Sequence, residues 1–139
     1  MAERTLLNIK PGAVERHLIG EIIKRVEEHG FRVVAIDKVR LCRHEAEAFY
    51  EVHRGKPFFE KLVDFMSSGP CVPIVIEGEN AVAGLRELIG ATDPHEAAEG
   101  TIRKEFAEDV THNAVHASDS QESAEKEIAF FFARRCLLD

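Results

Sequence analysis

The order of apolar and polar positions predicts four strands and five helices. Runs of β-branched and apolar residues predict strands at 5–9, 31–39, 72–76 and 111–117. Apolar residues three and four positions apart predict helices over 18–29, 43–53, 57–66 and 81–89, and over a segment that begins after Asp119. Residues 91–100 show neither period and predict an exposed loop. On this pattern alone, alternating strands and helices favour a parallel α/β sheet.

Several residues predict where these elements begin and end. Asn80 is placed to cap the helix that Gly90 ends. The spacing of Asp119 and Glu122 is that of a capping box for the last helix. Pro73 has no backbone N–H to donate, so it should lie near the start of its strand or on an edge of the sheet.

Composition predicts a soluble globular protein of one domain, residues 1–139. Apolar residues make up 45% of the chain and charged residues 31%. The formal net charge of -7 argues against a general attraction to nucleic acid or to anionic membranes. The apolar runs are too short to cross a bilayer and the first residues lack the apolar core of a signal peptide. We therefore expect a cytoplasmic protein.

A histidine at a predicted strand end is the most informative feature of the chain. His116 lies between the apolar residues 114–115 and the Ser/Asp cluster 118–120. A neutral imidazole can act as a nucleophile through one nitrogen when a hydrogen bond to the other nitrogen fixes the tautomer. The chain has no Gly-x-x-x-x-Gly-Lys-Ser/Thr loop and no Gly-x-Gly-x-x-Gly turn that could cradle phosphates. A bound polyphosphate would therefore be held by side chains and a metal ion.

The run around His116 resembles the active-site signature of nucleoside diphosphate kinases. That signature reads Asn-x-x-His-Gly-Ser-Asp-Ser, and the chain has Asn-Ala-Val-His-Ala-Ser-Asp-Ser at 113–120. Further segments match the family in the same order, from about residue 4 to residue 132: residues 8–14, Tyr50, and residues 56–59, 84–86, 90–94 and 100–103. Chance would not produce matches in this order over nearly the whole chain.

The resemblance implies a fold and an activity that the periodicity does not give. The implied fold is a ferredoxin-like βαββαβ sandwich, α+β in class, with a four-stranded antiparallel sheet covered by helices. The implied activity is transfer of the γ-phosphate of a nucleoside triphosphate to a nucleoside diphosphate, by a ping-pong mechanism with broad base and sugar specificity. Mg²⁺ is expected to enter with the nucleotide phosphates, without a protein cage. A homo-oligomer, either a tetramer or a hexamer, is also implied.

The resemblance assigns the catalytic roles to four residues. His116 would be the nucleophile that is transiently phosphorylated. A backbone carbonyl at position 117 would hold its other ring nitrogen, while Glu127 with Ser118 would orient the attacking side. Tyr50 would pack near the histidine.

Nine further residues match the nucleotide contacts of the family. Arg86, Arg103 and Thr92 would contact phosphate oxygens, as would His53 in some members. Taken alone, an arginine is as readily a surface ion-pair partner, and a threonine a turn hydroxyl. The remaining matches are to the sugar, at Lys10 and Asn113, and to the base, which would stack on Phe58 against Leu62 and Val110. Apolar residues at helical spacing are normally core, and Leu62 and Val110 fit that interpretation too.

Two other functions compete with this one. His112 and His116 have the spacing of a zinc-protease pair, but Asn113 stands where that motif needs glutamate. In a strand, moreover, the two rings would lie roughly 13 Å apart at ~3.3 Å per residue. A regulatory nucleotide-binding or assembly module could keep the fold without turnover. Loss of His116 or of two phosphate ligands would have favoured that function, and none of them is lost.

The chain departs from the family pattern at two positions. Ala117 replaces the glycine beside the nucleophile, and Glu99 stands where some members carry a proline in the long loop. If position 117 needed a positive φ, alanine would cost about 1 to 3 kcal/mol of backbone strain. We predict instead that φ at Ala117 is negative and that the position acts through its carbonyl.

Overall fold

A computed structural model describes residues 2–133 and residue 137. Within them the chain forms a sheet whose strands follow the order β2-β4-β1-β5, with the short β3 pairing with one end of β4. The strand bounds are Ala2–Ile9 (β1), Arg32–Ile36 (β2), Val39–Arg40 (β3), Pro70–Glu79 (β4) and Val115–Ala117 (β5).

Seven α-helices in the described residues connect and cover these strands. They are Pro11–Glu15 (α1), Ile19–Glu28 (α2), Arg43–Phe49 (α3), Phe59–Met66 (α4), Ala81–Ile89 (α5), Ile102–Phe106 (α6) and Gln121–Phe131 (α7). A 3₁₀ turn at Glu51–His53 follows α3. The one-turn helices α1 and α6 were not predicted, because five residues are too few to show helical periodicity. None of the helices in this part of the chain is both long and apolar enough to span a bilayer.

Every strand pair in the sheet is antiparallel. The parallel sheet favoured by simple alternation is therefore wrong, and the ferredoxin-like sandwich implied by the resemblance is confirmed. Alternation misled because each helical connection returns the chain to the sheet beside a strand of opposite direction. Hydrogen-bonding partners are chosen by tertiary packing, which periodicity does not report.

Pro73 lies in the middle of a central strand, which corrects its prediction. It is the fourth residue of β4 and pairs with Asn8 of β1 on one side. On the other side β2 ends opposite Ile74, and the carbonyl of Pro73 accepts a hydrogen bond from the Asp37 N–H at 3.1 Å. Proline is tolerated because β2 has ended there and the segment between β2 and β3 does not need a backbone N–H from Pro73.

Helices cover both faces of the sheet, and β1 contributes to both cores. Leu6 packs with Ile128 of α7, whereas Leu7 packs with Leu85 of α5. Consecutive strand residues point to opposite faces, so α7 and α5 lie on opposite sides of β1. This two-sided burial explains why every residue of β1 from 5 to 9 is buried, including the polar Thr5 and Asn8.

The predicted ends of α5 are right in position, the predicted cap of α7 is one residue early, and the predicted capping hydrogen bonds do not form. Gly90 ends α5 with φ of 89°, as its lack of a Cβ allows. Asn80 precedes α5 in the left-handed region at φ 49°, and its side chain makes no capping hydrogen bond. At α7 the cap lies one residue later than predicted. There the Ser120 hydroxyl accepts from the Ser123 N–H at 3.0 Å, and no Asp119–Glu122 box forms.

Candidate active site

One large cavity gathers nearly all of the predicted site residues. Its volume is about 860 Å³, and all but one of the thirteen predicted residues line it. The exception, Ser118, is fully buried behind the wall. The lining residues that were predicted are Lys10, Tyr50, His53, Phe58, Leu62, Arg86, Thr92, Arg103, Val110, Asn113, His116 and Glu127.

The alternation of β5 aims His116 into this cavity. Its neighbours Val115 and Ala117 are buried in the core that contains Leu85. The side chain between them must therefore point to the opposite face, the one that α7 covers. His116 pairs with Asn8 of β1, so a central strand fixes its backbone. Val115, one of the apolar residues that marked this strand in the sequence, thus also helps to set the direction of the histidine.

One carboxylate, that of Glu127, forms a hydrogen bond with Nε2 of His116. Glu127 Oε1 lies 2.7 Å from His116 Nε2 and accepts a second hydrogen bond from Ser118 Oγ, also at 2.7 Å. A carboxylate only accepts, so Nε2 carries the proton and Nδ1 carries the lone pair. No residue in 2–133 or at 137 donates to Nδ1. Glu127 and Ser118 were predicted to orient the attacking side of His116, and their hydrogen bonds meet the ring at Nε2.

The carbonyl of Ala117 has a different partner from the predicted one. It accepts from an Arg86 guanidinium N–H at 3.1 Å rather than from the imidazole. Arg86 extends from α5, which packs against β5, and this contact places its guanidinium beside the histidine. The backbone at Ala117 is extended within β5 and its φ is not positive, as predicted. Alanine therefore fits this position without strain.

The strained residue of the signature is Ala114. Its φ is 71°, a conformation that costs an L-residue of this kind roughly 1 to 2 kcal/mol. The Val115 N–H donates to the Asn113 carbonyl across it at 2.8 Å, which closes a three-residue turn. This turn stands at the start of β5, so the strand predicted over 111–117 shortens to Val115–Ala117. It also brings Asn113 back over the cavity.

Glycine should have opposite effects at these two alanines. Ala114→Gly should raise the free energy of unfolding by about 1 kcal/mol, because it removes the strain at positive φ. Ala117→Gly should lower it by about 0.5 to 1 kcal/mol, because glycine loses more entropy in a strand. Ala117→Gly should change turnover by less than about tenfold. Urea unfolding and steady-state kinetics on both variants test this, and equal signs for the two stability changes would contradict it.

Arg103 is buried, and some of its guanidinium N–H groups donate hydrogen bonds to backbone carbonyls. It is 5% exposed and donates to the carbonyls of Gly90 at 3.1 Å and Val115 at 2.9 Å. Its Nε is buried without a hydrogen-bond partner in the described residues. Burial and the nearby charge of Arg86 lower the pKa of Arg103 to about 10. The residue stays cationic near pH 7 and still has donors left for an anion in the cavity.

Lys10 is a buried amine at the end of β1. Its Nζ donates to Asn113 Oδ1 at 2.7 Å, and the residue is 4% exposed. Burial and the charge of Arg103 lower the pKa of Lys10 to about 7. Without an anion beside it, roughly half of this lysine is neutral near pH 7.

Nucleotide binding should therefore take up a proton at Lys10. At pH 8 the amine is largely neutral, and an adjacent polyphosphate favours its charged form. Uptake should approach one proton at pH 8 and fall towards zero below pH 6, where the amine is already charged. Titration calorimetry in buffers of different ionisation enthalpy measures it. Lys10→Met should abolish the uptake and the exposed Lys24→Met should not, whereas uptake that persists in Lys10→Met would refute the assignment.

The outer end of the cavity is aromatic and apolar. Phe58 is 43% exposed and Val110 is 56% exposed, while Leu62 is buried in the core of the α3–α4 hairpin. Leu62 is therefore both core and cavity wall. His53 packs edge-on against Phe58 with ring centroids 5.2 Å apart. Burial and the charge of Lys56 lower the pKa of His53, so it faces the cavity as a neutral ring.

Tyr50 is buried beside the histidine. Its ring is perpendicular to that of His116 at a centroid distance of 6.0 Å. Burial, followed by the charge of Glu127, raises the pKa of the Tyr50 hydroxyl, so it keeps its proton and can act as a donor. That hydroxyl has no hydrogen-bond partner within the described residues.

Several cavity residues were not predicted. Lys56 has its Nζ 5.8 Å from the centre of the Phe58 ring and 3.4 Å from His53 Nδ1. Its position inside a matching segment, 56–59, was the one available signal. The other unpredicted side chains that line the wall include Phe49, Asp119, Ser123, Lys126 and Phe130. Ser123 and Phe130 lie four residues before and three residues after Glu127, so they share its helix face, which this spacing could have indicated.

Comparison with known proteins agrees with this geometry. The family model described as nucleoside diphosphate kinase matches residues 3–136. The chain belongs to the nucleoside diphosphate kinase family. A relative named nucleoside diphosphate kinase, from a Nitratiruptor species, is 60% identical over 136 residues, which are 98% of this chain and 99% of that protein.

Two solved structures of nucleoside diphosphate kinases share the fold. The Aquifex aeolicus enzyme has a TM-score of 0.97 at 46% identity, covering 99% of this chain and 100% of that one. The Halobacterium salinarum enzyme, solved in complex with CDP, has a TM-score of 0.96 at 42% identity, covering 100% of this chain and 93% of that one. As a member of this family the protein is a nucleotide-binding phosphotransferase, which sets aside the module without turnover.

The zinc-site alternative fails on geometry. The His112 ring bonds to Asp109 at 3.1 Å and packs on Phe65, and it does not line the cavity that contains His116. Within the described residues no three His, Cys, Asp or Glu side chains come together to hold a metal ion. The cavity carboxylates are Glu51, Asp119 and Glu127, and Glu127 is already bonded to His116. This donor set suits a hydrated Mg²⁺ carried by phosphates rather than a metal ion held by the protein alone.

Proposed function

We propose that the protein transfers the γ-phosphate of a nucleoside triphosphate to a nucleoside diphosphate through a phosphohistidine on His116. The observation that carries the proposal is the Glu127–His116 hydrogen bond. It fixes the proton on Nε2 and leaves the Nδ1 lone pair at the cavity wall. Glu127 orients the proposed nucleophile, and the Ser118 hydroxyl in turn orients Glu127. A nucleophile oriented by a chain of hydrogen bonds is typical of covalent catalysis.

Each half-reaction exchanges one bond for another. The Nδ1 lone pair forms a bond to the γ-phosphorus while the bond from that phosphorus to the β,γ-bridging oxygen breaks. The diphosphate leaves with that electron pair. The imidazole, which keeps the proton on Nε2, becomes positively charged, and the Glu127 carboxylate stabilises this charge at 2.7 Å. A terminal oxygen of an acceptor diphosphate then attacks the same phosphorus and restores neutral His116.

Local cations compensate the phosphate charge in an acidic protein. The chain has a formal net charge of -7, yet Lys10, Arg86 and Arg103 all line the cavity. The N–H groups of Arg86 and Arg103, with the Thr92 hydroxyl, would contact the equatorial oxygens whose charge grows during transfer. We assign the sugar hydroxyls to Lys10 and Asn113, and a further phosphate contact to His53. Mg²⁺ would screen the β- and γ-phosphates when it binds with the nucleotide.

Base recognition by stacking supports broad specificity. Phe58 presents its ring at the mouth, and Leu62 and Val110 supply apolar contacts rather than base-edge hydrogen bonds. Every base has a π-face, so a stacking site of this kind tolerates all of them. We therefore propose that nucleotides of every base, and both ribose and deoxyribose forms, are substrates.

Assembly and location complete the proposal. We propose a cytoplasmic homo-oligomer, a tetramer or a hexamer, built from single-domain subunits of residues 1–139. In support of assembly, β2 lies at one edge of the sheet and leaves Ile36 49% exposed. Sedimentation equilibrium measures the subunit number.

A pulse-chase experiment tests the transfer. The protein is incubated with γ-labelled ATP and Mg²⁺, separated from nucleotide, and then divided among ADP, GDP, CDP, UDP and dTDP. Label should appear on the protein without an acceptor, be acid-labile and base-stable, and leave with every diphosphate at rates within about 100-fold of each other. Absence of labelled protein would refute the phosphohistidine. Release by purine diphosphates alone would refute the stacking model of specificity.

A further inference from the structure

A phenylalanine outside the predicted site lies against the proposed nucleophile. Phe49 is the last residue of α3 and lines the cavity. Its ring centroid is 5.3 Å from that of His116, and the two planes meet at 74°. This distance and this near-perpendicular angle are those of a favourable edge-to-face contact. The proposed nucleophile therefore has an aromatic wall from a different element of the fold.

Phe49 is held in place by rings on two other sides. Its centroid lies 5.1 Å from that of Phe130 and 5.2 Å from that of Phe131, both on α7. It also meets Tyr50 edge-on at 4.9 Å. Because Phe49 packs between α3 and α7, it cannot swing away from His116 without losing these contacts. The wall is thus rigid, which a single exposed ring would not be.

The hydrogen bond to Glu127 leaves one motion of the imidazole open. It anchors Nε2, but one bond at one corner of the ring does not stop the ring from rocking about its Cβ–Cγ bond. Rocking would turn the Nδ1 lone pair away from the line of attack on the γ-phosphorus. Phe49 and Tyr50 both stand nearly perpendicular to the ring and oppose that motion.

We infer that Phe49 is a positioning residue that holds the plane of His116 so that Nδ1 points at the bound γ-phosphate. The inference rests on the proposed function, because it concerns the orientation of the proposed nucleophile. Because the ring of Phe49 contacts the ring of His116, its loss should slow phosphoryl transfer without weakening nucleotide binding. A misplacement of about 1 Å between reacting groups can slow a reaction by roughly 100-fold, so even a partial loss of alignment is measurable.

Single-turnover phosphorylation of the full chain by γ-labelled ATP and Mg²⁺ tests the inference. For Phe49→Ala the rate at saturating ATP should fall about tenfold, equivalent to about 1.4 kcal/mol of barrier. The ATP concentration for half-maximal rate should stay within about twofold. Phe49→Tyr, which keeps the ring, should restore the rate to within about twofold. Phe65→Ala removes another half-buried ring, away from the cavity, and should lower thermal stability without changing the rate.

The controls separate positioning from a general loss of structure. An unchanged rate in Phe49→Ala would overturn the inference, as would an equal loss in Phe65→Ala or a loss that appears only as weaker ATP binding. A Phe49→Tyr variant as slow as Phe49→Ala would also overturn it. If the unaltered protein forms no phosphoenzyme, the proposed function fails instead, and that result is obtained before any variant is compared.

Discussion

Replacing His116 with alanine should lower nucleoside diphosphate kinase turnover by about 10⁴-fold or more, and should abolish labelling of the protein by γ-labelled ATP. No other group at the cavity combines a free lone pair with a fixed tautomer among the residues that the structure describes. Removal of a covalent nucleophile eliminates the pathway rather than weakening one contact, so the loss is far larger than for a binding residue.

The measurement is a coupled assay of ADP formation, together with counts of acid-labile, base-stable label on the protein. His44→Ala is the matched control, because that histidine side chain is 97% exposed on α3 and should leave turnover within about twofold. Nucleotide affinity of His116→Ala should remain within about threefold, since its phosphate and base contacts are kept. Labelling of His116→Ala at the normal rate would assign the phosphoryl group to another residue.

Loss of the Glu127 carboxylate should be the next most damaging change. Glu127→Ala should reduce the phosphorylation rate by about 10²- to 10³-fold, because the proton on Nε2 loses its acceptor and the positive ring loses its counter-charge. An orienting carboxylate of this kind contributes up to about 10⁴-fold in other histidine-dependent enzymes. The loss should appear in the rate at saturating ATP rather than in the ATP concentration for half-maximal rate.

Glu127→Gln separates the two roles of the carboxylate. It keeps an oxygen that can accept from His116 and Ser118 but has no charge, so its rate should lie between those of the alanine variant and the unaltered protein. Glu125→Ala, an exposed change on the same helix, should be neutral. Nitrogen NMR of the imidazole should show the proton on Nε2 in the unaltered protein and a mixture of tautomers in Glu127→Ala. Full activity of Glu127→Ala would show that His116 needs no acceptor.

Sequence patterns predicted helix and strand boundaries correctly where the residues of the segment itself determine the boundary. The helix over 81–89 was predicted to its last residue, because apolar spacing and the positive φ of Gly90 are both properties of that segment. The strand around His116 was predicted correctly at its end, residue 117, but not at its start. Its start depends on the turn at Ala114, and an alanine carries no sign of a positive φ.

The candidate site residues were predicted from the sequence, through the order of family motifs, and all of them but Ser118 line one cavity. Their partners were not contained in the sequence. The predicted partner of the imidazole nitrogen that does not attack was the carbonyl at 117, in the next residue of the same strand. The actual partner is Glu127, on a helix whose docking against β1 places it there.

The sequence by itself determined which segments form strands and which form helices. It also determined which residues of β5 face the core, because side chains alternate along a strand. It follows that His116 faces away from that core. Tertiary structure alone decided that the sheet is antiparallel, that Arg86 takes the Ala117 carbonyl, and that Phe49 lies against the ring of His116. Each of these contacts joins segments that are distant in the chain. Such contacts form only when helices pack on the sheet, and the energies that choose among packings are spread over the whole core rather than written in any one segment.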